Sequence, residues 1–413
     1  MNKFIARQPI LDKGSKTYGY ELLFRSGLET FFHCSDRDQA SASVVIDSFL
    51  LFGMQTLTHG RKAFINFTRN LILGRFATLL PKDQIIIEIL EDVEPDAEIV
   101  AACKFLKNQG YMLALDDFKH SEGIKALVDL ADIIKVDFLA TPVQERRSLA
   151  KSLSCRRVQL LAEKVETPEQ YREAFSLGYH YFQGYFFNKP ETVLASEIPA
   201  YKLNYIMLLK AINRREPDFT EIEGIIKREP SLTYRLLRYL NSAAFIFAKD
   251  IKSLRHALSL LGLHEVRKWI SMVSLAGVAE DRPGALLTTT VTRARFCELL
   301  APLAGYRNKV IDLFLVGLFS LIDVILGRPL AEILQQISVS EEVRSTLLHG
   351  NTPMKKVLGL AIACEEGEWS HGSSLIEDLR LNENEVSDAY LQAVEWSQMV
   401  LRTDKTLPSY GVR

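Results

Sequence analysis

Short apolar runs alternate with amphipathic stretches over the first 190 residues, and this alternation leaves few folds open to the chain. The eight strand-like runs begin with FIARQPI and end with YHYFQGY, and Gly, Pro or charged residues bound each of them. Stretches typical of amphipathic helices lie between the runs, as at residues 97–109 and 168–177. Strands that alternate with helices form mostly parallel sheets, so eight such units predict a compact (β/α) barrel.

The strand pattern ends near residue 200, and the rest of the chain has helical periodicity. Glycine and proline separate its apolar segments, as at Gly262, Gly305 and Pro329. We therefore predict an α/β domain with a TIM-like barrel over residues 1–198 and an all-α domain over residues 199–413. The core of the helical domain is expected at about residues 201–330, followed by a helical extension.

The charge balance excludes several classes of protein. The 50 Lys and Arg residues nearly equal the 51 Asp and Glu residues, which gives a formal net charge of −1. With 47% hydrophobic and 24% charged residues, the composition is that of a globular protein, not a disordered chain or a strongly basic polyanion binder. Basic pairs such as Arg214–Arg215 are interpreted as solvated surface; nucleic-acid binding is the alternative, and no interleaved aromatic residues favour it.

The cysteines and the apolar runs bear on the compartment. The five cysteines are scattered without a C-x-x-C pair, which predicts neither a disulfide framework nor a zinc knuckle. The first residues, MNKFIARQPI, lack the apolar core of a signal peptide. The most apolar helical segment, residues 313–326, carries Asp323 and is shorter than the roughly 20 residues that a membrane span needs. We expect a cytoplasmic protein without a membrane span.

Acidic and amide side chains recur at the ends of the predicted strands. In a (β/α) barrel the carboxyl ends of the strands form one mouth, so residues far apart in sequence converge there. An isolated Asp pair is more often a turn or a helix cap, and an isolated Lys is usually solvated, so the recurrence is what favours a site. Oxygen ligands suit Mg²⁺ or Mn²⁺, and two such ions can stabilise a phosphodiester displacement. The residues at these ends are Glu21, Asn66, Glu88, Asp116, Asp117, Lys135, Glu163 and Gln183.

Seven motifs occur in an order and spacing that resemble a known family. They are ARQPI with GYELLFR, FINFT, IIIEILE, ALDDF, IIKVD, AEKVET and YFQGYFF. The set resembles the EAL domain over about residues 1–190, with ELL in place of the signature triplet. The resemblance implies a TIM-like barrel that hydrolyses cyclic di-GMP to linear pGpG with Mg²⁺ or Mn²⁺.

The resemblance also implies a ligand set for up to two metal ions. Glu21, which matches the Glu of the triplet, would hold the first ion together with Asn66, Glu88 and Asp116. Asp116 and Asp117 would share the second ion. Because cyclic di-GMP carries two phosphate charges, carboxylates without metal would repel it, so metal loading is expected to control binding as well as turnover.

Other positions match family residues that act on the substrate. Lys135 and Glu163 match the catalytic residues that position and deprotonate the attacking water. Gln183 matches an amide at the last strand, and Gln8 and Arg25 match residues that contact the phosphate or guanine of the dinucleotide. We therefore expect Gln8, Arg25 and Gln183 to be substrate-binding residues.

Two departures from the family pattern bear on activity. Active members usually read DFGTG after the Asp pair, whereas this chain reads DDFKHSEG, with Lys119 and His120 in place of Gly-Thr. Glycine adopts positive φ angles at little cost, so its loss alters the loop that orders the second metal. Glu166, which matches the residue that braces this loop, is retained. The segment after Arg25 is shorter than usual, which alters the expected walls of the substrate pocket.

The helical half carries its own signature. The run REPSLTYRLLRYLNSAAF, followed by IKSLRHALSLLGLHEVRKW, resembles the HDOD domain, an all-helical module related to HD phosphohydrolases. In the stretch equivalent to a metal site, Ser320 stands where a His ligand is expected, and Asp323 is the remaining acidic residue. One carboxylate is too few ligands for a hydrolytic centre. We interpret this half as a non-catalytic module that binds an unidentified protein partner and could support a homodimer.

Three functions remain open at this point. The first is a cytoplasmic, metal-dependent cyclic di-GMP phosphodiesterase whose HDOD half regulates it or passes the signal to a partner. The second is a catalytically silent cyclic di-GMP receptor that acts on a partner protein. The third is a scaffold that binds no nucleotide. The complete ligand set favours the first function, and the altered loop DDFKHSEG favours the second.

Overall fold

The chain divides into two units. The structure, a computed structural model, describes residues 3–26, 57–116, 124–184, 200–227, 254–350 and 352–402. The first unit contains Met1–Lys189 with Ala363–Ser370, and the second contains Pro190–Ile362 with His371–Arg413. The domain limits at residues 198 and 199 stay a prediction.

Eight strands close into a barrel in chain order, so the predicted TIM-like barrel is confirmed. The strands are β1 (Lys3–Asp12), β2 (Thr17–Ser26), β3 (Lys62–Phe67), β4 (Ile85–Ile89), β5 (Met112–Leu115), β6 (Ile133–Asp137), β7 (Gln159–Glu163) and β8 (Tyr181–Gln183). Strands β2 to β8 are parallel, whereas β1 runs antiparallel to its neighbours β2 and β8. The short turn at residues 13–16 cannot make the crossover that parallel strands need, so β1 and β2 form a hairpin.

A layer of apolar side chains fills the barrel interior. Seven of the eight strands contribute one buried residue each, and Tyr18 and Met112 pack against this layer. Its members are Ile10, Phe64, Ile86, Ala114, Ile133, Leu161 and Tyr181. Because side chains two positions apart on a strand share a face, the residue two positions nearer the mouth also faces the interior.

Five helices accompany the strands within the described residues. They are α1 (Arg69–Leu73), α2 (Ala97–Asn108), α3 (Lys125–Val128), α4 (Val143–Leu153) and α5 (Pro168–Ser176). At the start of α2, the Asp96 carboxylate accepts a hydrogen bond from the backbone N–H of Ile99. At the start of α5, Thr167 and Gln170 form a capping box behind Pro168. This box fixes the chain shortly after the end of β7.

The described residues from 200 onward form helices joined by turns, so the predicted all-α domain is confirmed. These helices are α6 (Ala200–Ile212), α7 (Phe219–Lys227), α8 (Leu254–Val278), α9 (Gly284–Leu303), α10 (Val310–Phe319), α11 (Ile322–Leu326), α12 (Leu330–Gln336), α13 (Glu341–Leu348), α14 (Pro353–Glu366), α15 (Trp369–Asp378) and α16 (Glu383–Arg402). Within the described ranges, no helix combines the length and the apolar character that a membrane crossing requires.

One helix break lies where the sequence predicts it, and another was not predicted. Gly262, a predicted break, forms a kink inside α8 with a φ of 76°. The segment 313–326, predicted as one helical stretch, is instead divided into α10 and α11. Leu321 leaves the helical region with φ −125° and ψ 17°, and the Ser320 hydroxyl donates to the Gly317 carbonyl oxygen at 2.8 Å. This local bond competes with the helical hydrogen-bond pattern.

Candidate active site

The polar residues at the mouth lie one step above the apolar interior layer. On β3 to β8, each site residue follows a member of the layer by two positions and lies within the last three residues of its strand or just beyond it. On the antiparallel β1, Gln8 precedes Ile10 by two positions and pairs with Glu21 of β2 in the strand register. Strand alternation thus directs these side chains to the interior. The residues on β3 to β8 are Asn66, Glu88, Asp116, Lys135, Glu163 and Gln183.

Lys135 lies at the centre of this group and contacts four carboxylates. Its Nζ atom lies 2.6 Å from Oε1 of Glu88 and 2.6 Å from Oε1 of Glu163. Asp116 Oδ1 is 2.9 Å from the same atom, and Glu21 Oε1 is 3.6 Å from it. The Lys135 side chain has no exposed surface, and none of the four acidic side chains is more than 15% exposed. Residues from separate strands therefore meet around one ammonium group.

One ammonium group does not neutralise four carboxylates, and the pKa values reflect this. Burial raises the pKa of Glu88 well above its usual value, Glu21 and Asp116 add repulsion, and Lys135 offsets these effects only in part. Burial likewise raises the pKa of Glu163 to about 8, against the attraction of Lys135. Burial alone would lower the pKa of Lys135, but the carboxylates outweigh it and hold that pKa above its usual value. The site thus has excess negative charge that a further cation would neutralise.

Two amide side chains at the mouth carry buried oxygen atoms that accept no hydrogen bond from the described residues. These atoms are Oδ1 of Asn66 and Oε1 of Gln183. The other end of the Gln183 amide is paired, since Nε2 donates to Glu21 Oε2 at 2.5 Å and to Gln8 Oε1 at 3.0 Å. A buried oxygen atom without a partner is unfavourable unless a cation or a water molecule supplies the contact.

The donor set fits a hard divalent cation by its chemistry. Carboxylate and amide oxygens are the ligands that Mg²⁺ and Mn²⁺ prefer, and Asn66 lies opposite Glu88 in the register of β3 and β4. Among the described residues, however, no group of three or more His, Cys, Asp or Glu side chains is spaced to hold an ion. In this arrangement the carboxylates surround the Lys135 ammonium instead.

An ion pair between Asp137 and Lys164, the residue after Glu163, was not predicted from the sequence. The Asp137 carboxylate at the end of β6 accepts hydrogen bonds from two backbone N–H groups of the following turn, at 2.6 and 2.8 Å. Lys164, which follows Glu163, has a φ of 50°, and its Nζ atom lies 2.5 Å from Oδ2 of Asp137. A positive φ is strained for a lysine, and the ion pair holds it there. The sequence feature that could have identified Asp137 is its position two residues after Lys135, which places both on the same face of β6.

The roles predicted for three site residues are not tested by the described residues. Asp117 and the loop after it lie outside them, so the second metal site stays a prediction. Arg25 lies on β2, but only its backbone is described. Its contact with substrate therefore stays a prediction. Glu166 lies between β7 and α5, and its backbone N–H donates to Gln170 Oε1 at 2.7 Å. Its bracing contact with the loop also stays a prediction.

The helical domain places a buried cation beside Ser320. Arg293 of α9 is 4% exposed, and its Nη1 atom donates to Oγ of Ser320 at 2.9 Å. Burial raises the pKa of Asp323, three residues further along the chain. A guanidinium group repels a divalent ion at this distance, so the surroundings of Ser320 disfavour a metal site. The non-catalytic role of this domain stays a prediction.

Comparison with solved structures finds proteins that were solved in complex with cyclic di-GMP. BlrP1 of Klebsiella pneumoniae, solved with manganese and cyclic di-GMP, is 24% identical, with a TM-score of 0.39 over 45% of this chain and 55% of that chain. YkuI of Bacillus subtilis, solved with its substrate cyclic di-GMP and calcium, is 18% identical, with a TM-score of 0.38 over 56% of this chain and 72% of that chain. Each likeness thus covers a part of both chains.

Sequence comparison reaches along nearly the whole chain. The family model of the EAL domain matches residues 55–190, and that of the HDOD domain matches residues 198–353. CdgJ of Vibrio cholerae, named a cyclic di-GMP phosphodiesterase, is 29% identical over 97% of this chain and 93% of that protein. YuxH of Bacillus subtilis is 35% identical over 96% of this chain and 98% of that protein. The chain therefore belongs to the family of two-domain proteins in which an EAL domain is followed by an HDOD domain.

Proposed function

We propose that this protein is a cyclic di-GMP phosphodiesterase that hydrolyses the cyclic dinucleotide to linear pGpG. One observation carries the proposal: Glu21, Glu88, Asp116 and Glu163 meet around Lys135 at the mouth of an EAL barrel. The EAL domain and the likeness to CdgJ, a protein named for this activity, support cyclic di-GMP signalling and phosphodiesterase activity.

The site is proposed to hold Mg²⁺ or Mn²⁺. Glu21, Asn66, Glu88 and Asp116 would bind the first ion, and Asp116 with Asp117 would bind the second. The buried Oδ1 atom of Asn66 and the excess carboxylate charge support this assignment. When bound, the ions stabilise charge on the attacking and leaving oxygens of the phosphodiester.

Glu163 and Lys135 are the proposed catalytic residues. With a pKa raised to about 8, the ionised Glu163 carboxylate is a stronger base toward the attacking water than an ordinary carboxylate is. Lys135, whose Nζ lies 2.6 Å from Glu163 Oε1, orients that carboxylate and opposes its protonation. As the water oxygen bonds to phosphorus, one phosphorus–O3′ bond breaks, and the leaving oxygen takes up a proton to give pGpG.

Substrate binding is assigned to Gln8, Arg25 and Gln183. Gln183 links Gln8 to Glu21 by two hydrogen bonds, so the amides of the first and last strands are held together at the mouth. Arg25 would supply positive charge to a phosphate. Because the substrate carries two phosphate charges, the carboxylates repel it until metal is loaded, and metal loading therefore controls binding.

The HDOD half is proposed to regulate the barrel or to pass the signal to a protein partner. The match to the HDOD domain and the buried Arg293 beside Ser320 support a non-catalytic module. A homodimer and a cytoplasmic location are part of this proposal. A catalytically silent receptor is the alternative, because Lys119 and His120 replace glycine and threonine in the loop after the Asp pair.

The test is incubation of the full-length protein with cyclic di-GMP and Mn²⁺, with pGpG resolved by chromatography. We expect pGpG from the wild type and from Glu169→Gln, whose side chain is 74% exposed on α5. Glu88→Gln should form no pGpG, because it removes a proposed metal ligand. Tight binding of cyclic di-GMP without any turnover by the wild type would favour the receptor. Neither binding nor turnover would contradict both functions.

A further inference from the structure

We propose that Lys135 is the resident cation of the metal-free site, and that a divalent ion must displace its ammonium group from Glu88 and Asp116 in order to bind. This proposal rests on the proposed metal site and deepens it, since it concerns how that site is loaded. It adds a role for Lys135 that is separate from contact with the attacking water.

The contacts of Lys135 are with proposed metal ligands. Three of its four carboxylate partners, Glu21, Glu88 and Asp116, are residues assigned to the first ion. The distances to Glu88 and Asp116, 2.6 and 2.9 Å, are those of close ion pairs. The same oxygen atoms therefore serve the ammonium group in this arrangement and would serve the metal ion in the loaded one.

The carboxylates stand farther from the Lys135 nitrogen than ligands stand from a metal ion. Oxygen ligands lie about 2.1 Å from a bound Mg²⁺, whereas they lie 2.6 to 3.6 Å from the Lys135 nitrogen, so the carboxylates must draw together around a metal. The spacing agrees with this, because no acidic cluster among the described residues is ready to hold an ion. A divalent ion among these oxygens also repels the ammonium group.

Thermodynamic linkage predicts how the affinity for a metal ion changes when Lys135 is removed. If Lys135 stabilises the metal-free site more than the loaded one, its removal must strengthen metal binding by the same factor. We expect Lys135→Met to bind Mn²⁺ at least about tenfold more tightly than the wild type, because a like charge no longer occupies the centre. We also expect a lower melting temperature without metal and a larger rise on adding Mn²⁺, since four carboxylates then lack a counter-charge.

The experiment titrates Mn²⁺ calorimetrically into the full-length wild type, Lys135→Met and Lys164→Met. Lys164 is the control, because it lies at the same mouth and its ammonium group pairs with Asp137. Its substitution should change Mn²⁺ affinity by less than about twofold, since an exposed charge is screened. Equal or weaker binding by Lys135→Met would overturn the proposal. If neither the wild type nor Lys135→Met binds Mn²⁺, the metal site and this proposal both fail.

A second measurement does not depend on the folding of a variant. Crystal structures of the wild type would be determined with and without Mn²⁺, and Nζ of Lys135 would be located in each. We expect it between Glu88 and Asp116 without metal and withdrawn from both with metal. A bound ion alongside unchanged contacts of 2.6 and 2.9 Å would overturn the proposal while leaving the metal site and the hydrolytic activity intact.

Discussion

Glu88 and Lys135 form an ion pair of 2.6 Å in which neither side chain has any exposed surface. Glu88 lies on β4 and Lys135 on β6, so the pair reaches past β5 inside the barrel. Removing two charges from water is costly, and a buried pair offsets that cost only when further groups contact it. Asp116 and Glu163 provide such contacts to the ammonium group. The barrel therefore has a charged layer at its mouth above an apolar layer.

The role of Glu163 as the base can be separated from its role in packing. Glu163→Gln keeps the shape of the side chain but removes its ability to take a proton. We expect turnover of cyclic di-GMP to fall by about 10²–10⁴-fold, with the dissociation constant of the nucleotide nearly unchanged. Turnover is measured by chromatography and binding by calorimetry. An equal fall in both quantities would show that Glu163 is structural.

The ion pair of Asp137 and Lys164 should make stability depend on acid pH. Burial opposes ionisation of Asp137, but Lys164 and two backbone N–H groups outweigh it and hold the pKa of Asp137 below its usual value. A carboxyl with a depressed pKa stabilises the fold above its unfolded pKa of about 3.9, and that stability is lost as the pH falls through the folded pKa. We expect Asp137→Asn to lose about 1–3 kcal/mol at pH 7.

The loss from Asp137→Asn should shrink as the pH falls below about 3.9, because the unfolded wild-type carboxyl then takes up a proton that the folded carboxyl resists. Asp129→Asn is the control, since Asp129 forms an exposed pair with Arg156 that should contribute less than about 1 kcal/mol. Chemical unfolding followed by circular dichroism at several pH values provides the comparison. A loss that stays constant from pH 7 to pH 3 would contradict the assigned ion pair.

Removing one partner of a buried ion pair in the helical domain should reduce stability more than removing one partner of an exposed pair. Lys268 and Glu298 lie 2.8 Å apart, with side chains 6% and 9% exposed. Glu298→Gln should reduce stability by about 3 kcal/mol, because it leaves a buried ammonium group with fewer partners. Asp378→Asn, which removes a half-exposed partner of Lys356, should cost less than about 1 kcal/mol. Tryptophan fluorescence reports the unfolding, since Trp396 lies beside Lys268. Equal losses in the two variants would contradict the burial described.

Gly184, at the end of β8, should not tolerate a side chain. Its φ is 139°, and an added Cβ atom would lie 2.3 Å from the carbonyl oxygen of Val165. We expect Gly184→Ala to lose more than about 3 kcal/mol, since the clash is with backbone. Gly178→Ala is the matched control, with a φ of 89° and no atom within 4 Å, so strain alone should cost about 1 kcal/mol. Similar melting temperatures for the two variants would contradict this packing.

The sequence was sufficient to predict the barrel, because each strand ends in a clear local sequence pattern. The runs before Asn66, Glu88 and Asp116 are apolar and short, and the polar residue marks where each strand reaches the mouth. The break at Ser320 was not predictable, since it arises from a local hydrogen bond inside a stretch with uniform apolar character. Helical periodicity does not distinguish one such helix from two.

The details of the site depend on closure of the barrel, which sequence patterns do not describe. Lys135 looked like a solvated lysine in isolation, yet closure brings β2, β4 and β7 around it. The contact of Asp137 with Lys164 joins the end of β6 to the residue after β7, and the two residues are 27 positions apart. Such contacts follow from the stagger between neighbouring strands, and the stagger is fixed by packing of the whole sheet.

The most direct test of the central claim is a crystal structure of Glu163→Gln with Mn²⁺ and cyclic di-GMP. The variant should bind the nucleotide without cleaving it, and the anomalous signal of manganese locates the ions. We expect an ion with Glu21, Asn66, Glu88 and Asp116 at about 2.0–2.3 Å, beside an intact phosphodiester of the dinucleotide. Manganese elsewhere, or cyclic di-GMP bound away from these four side chains, would contradict the account.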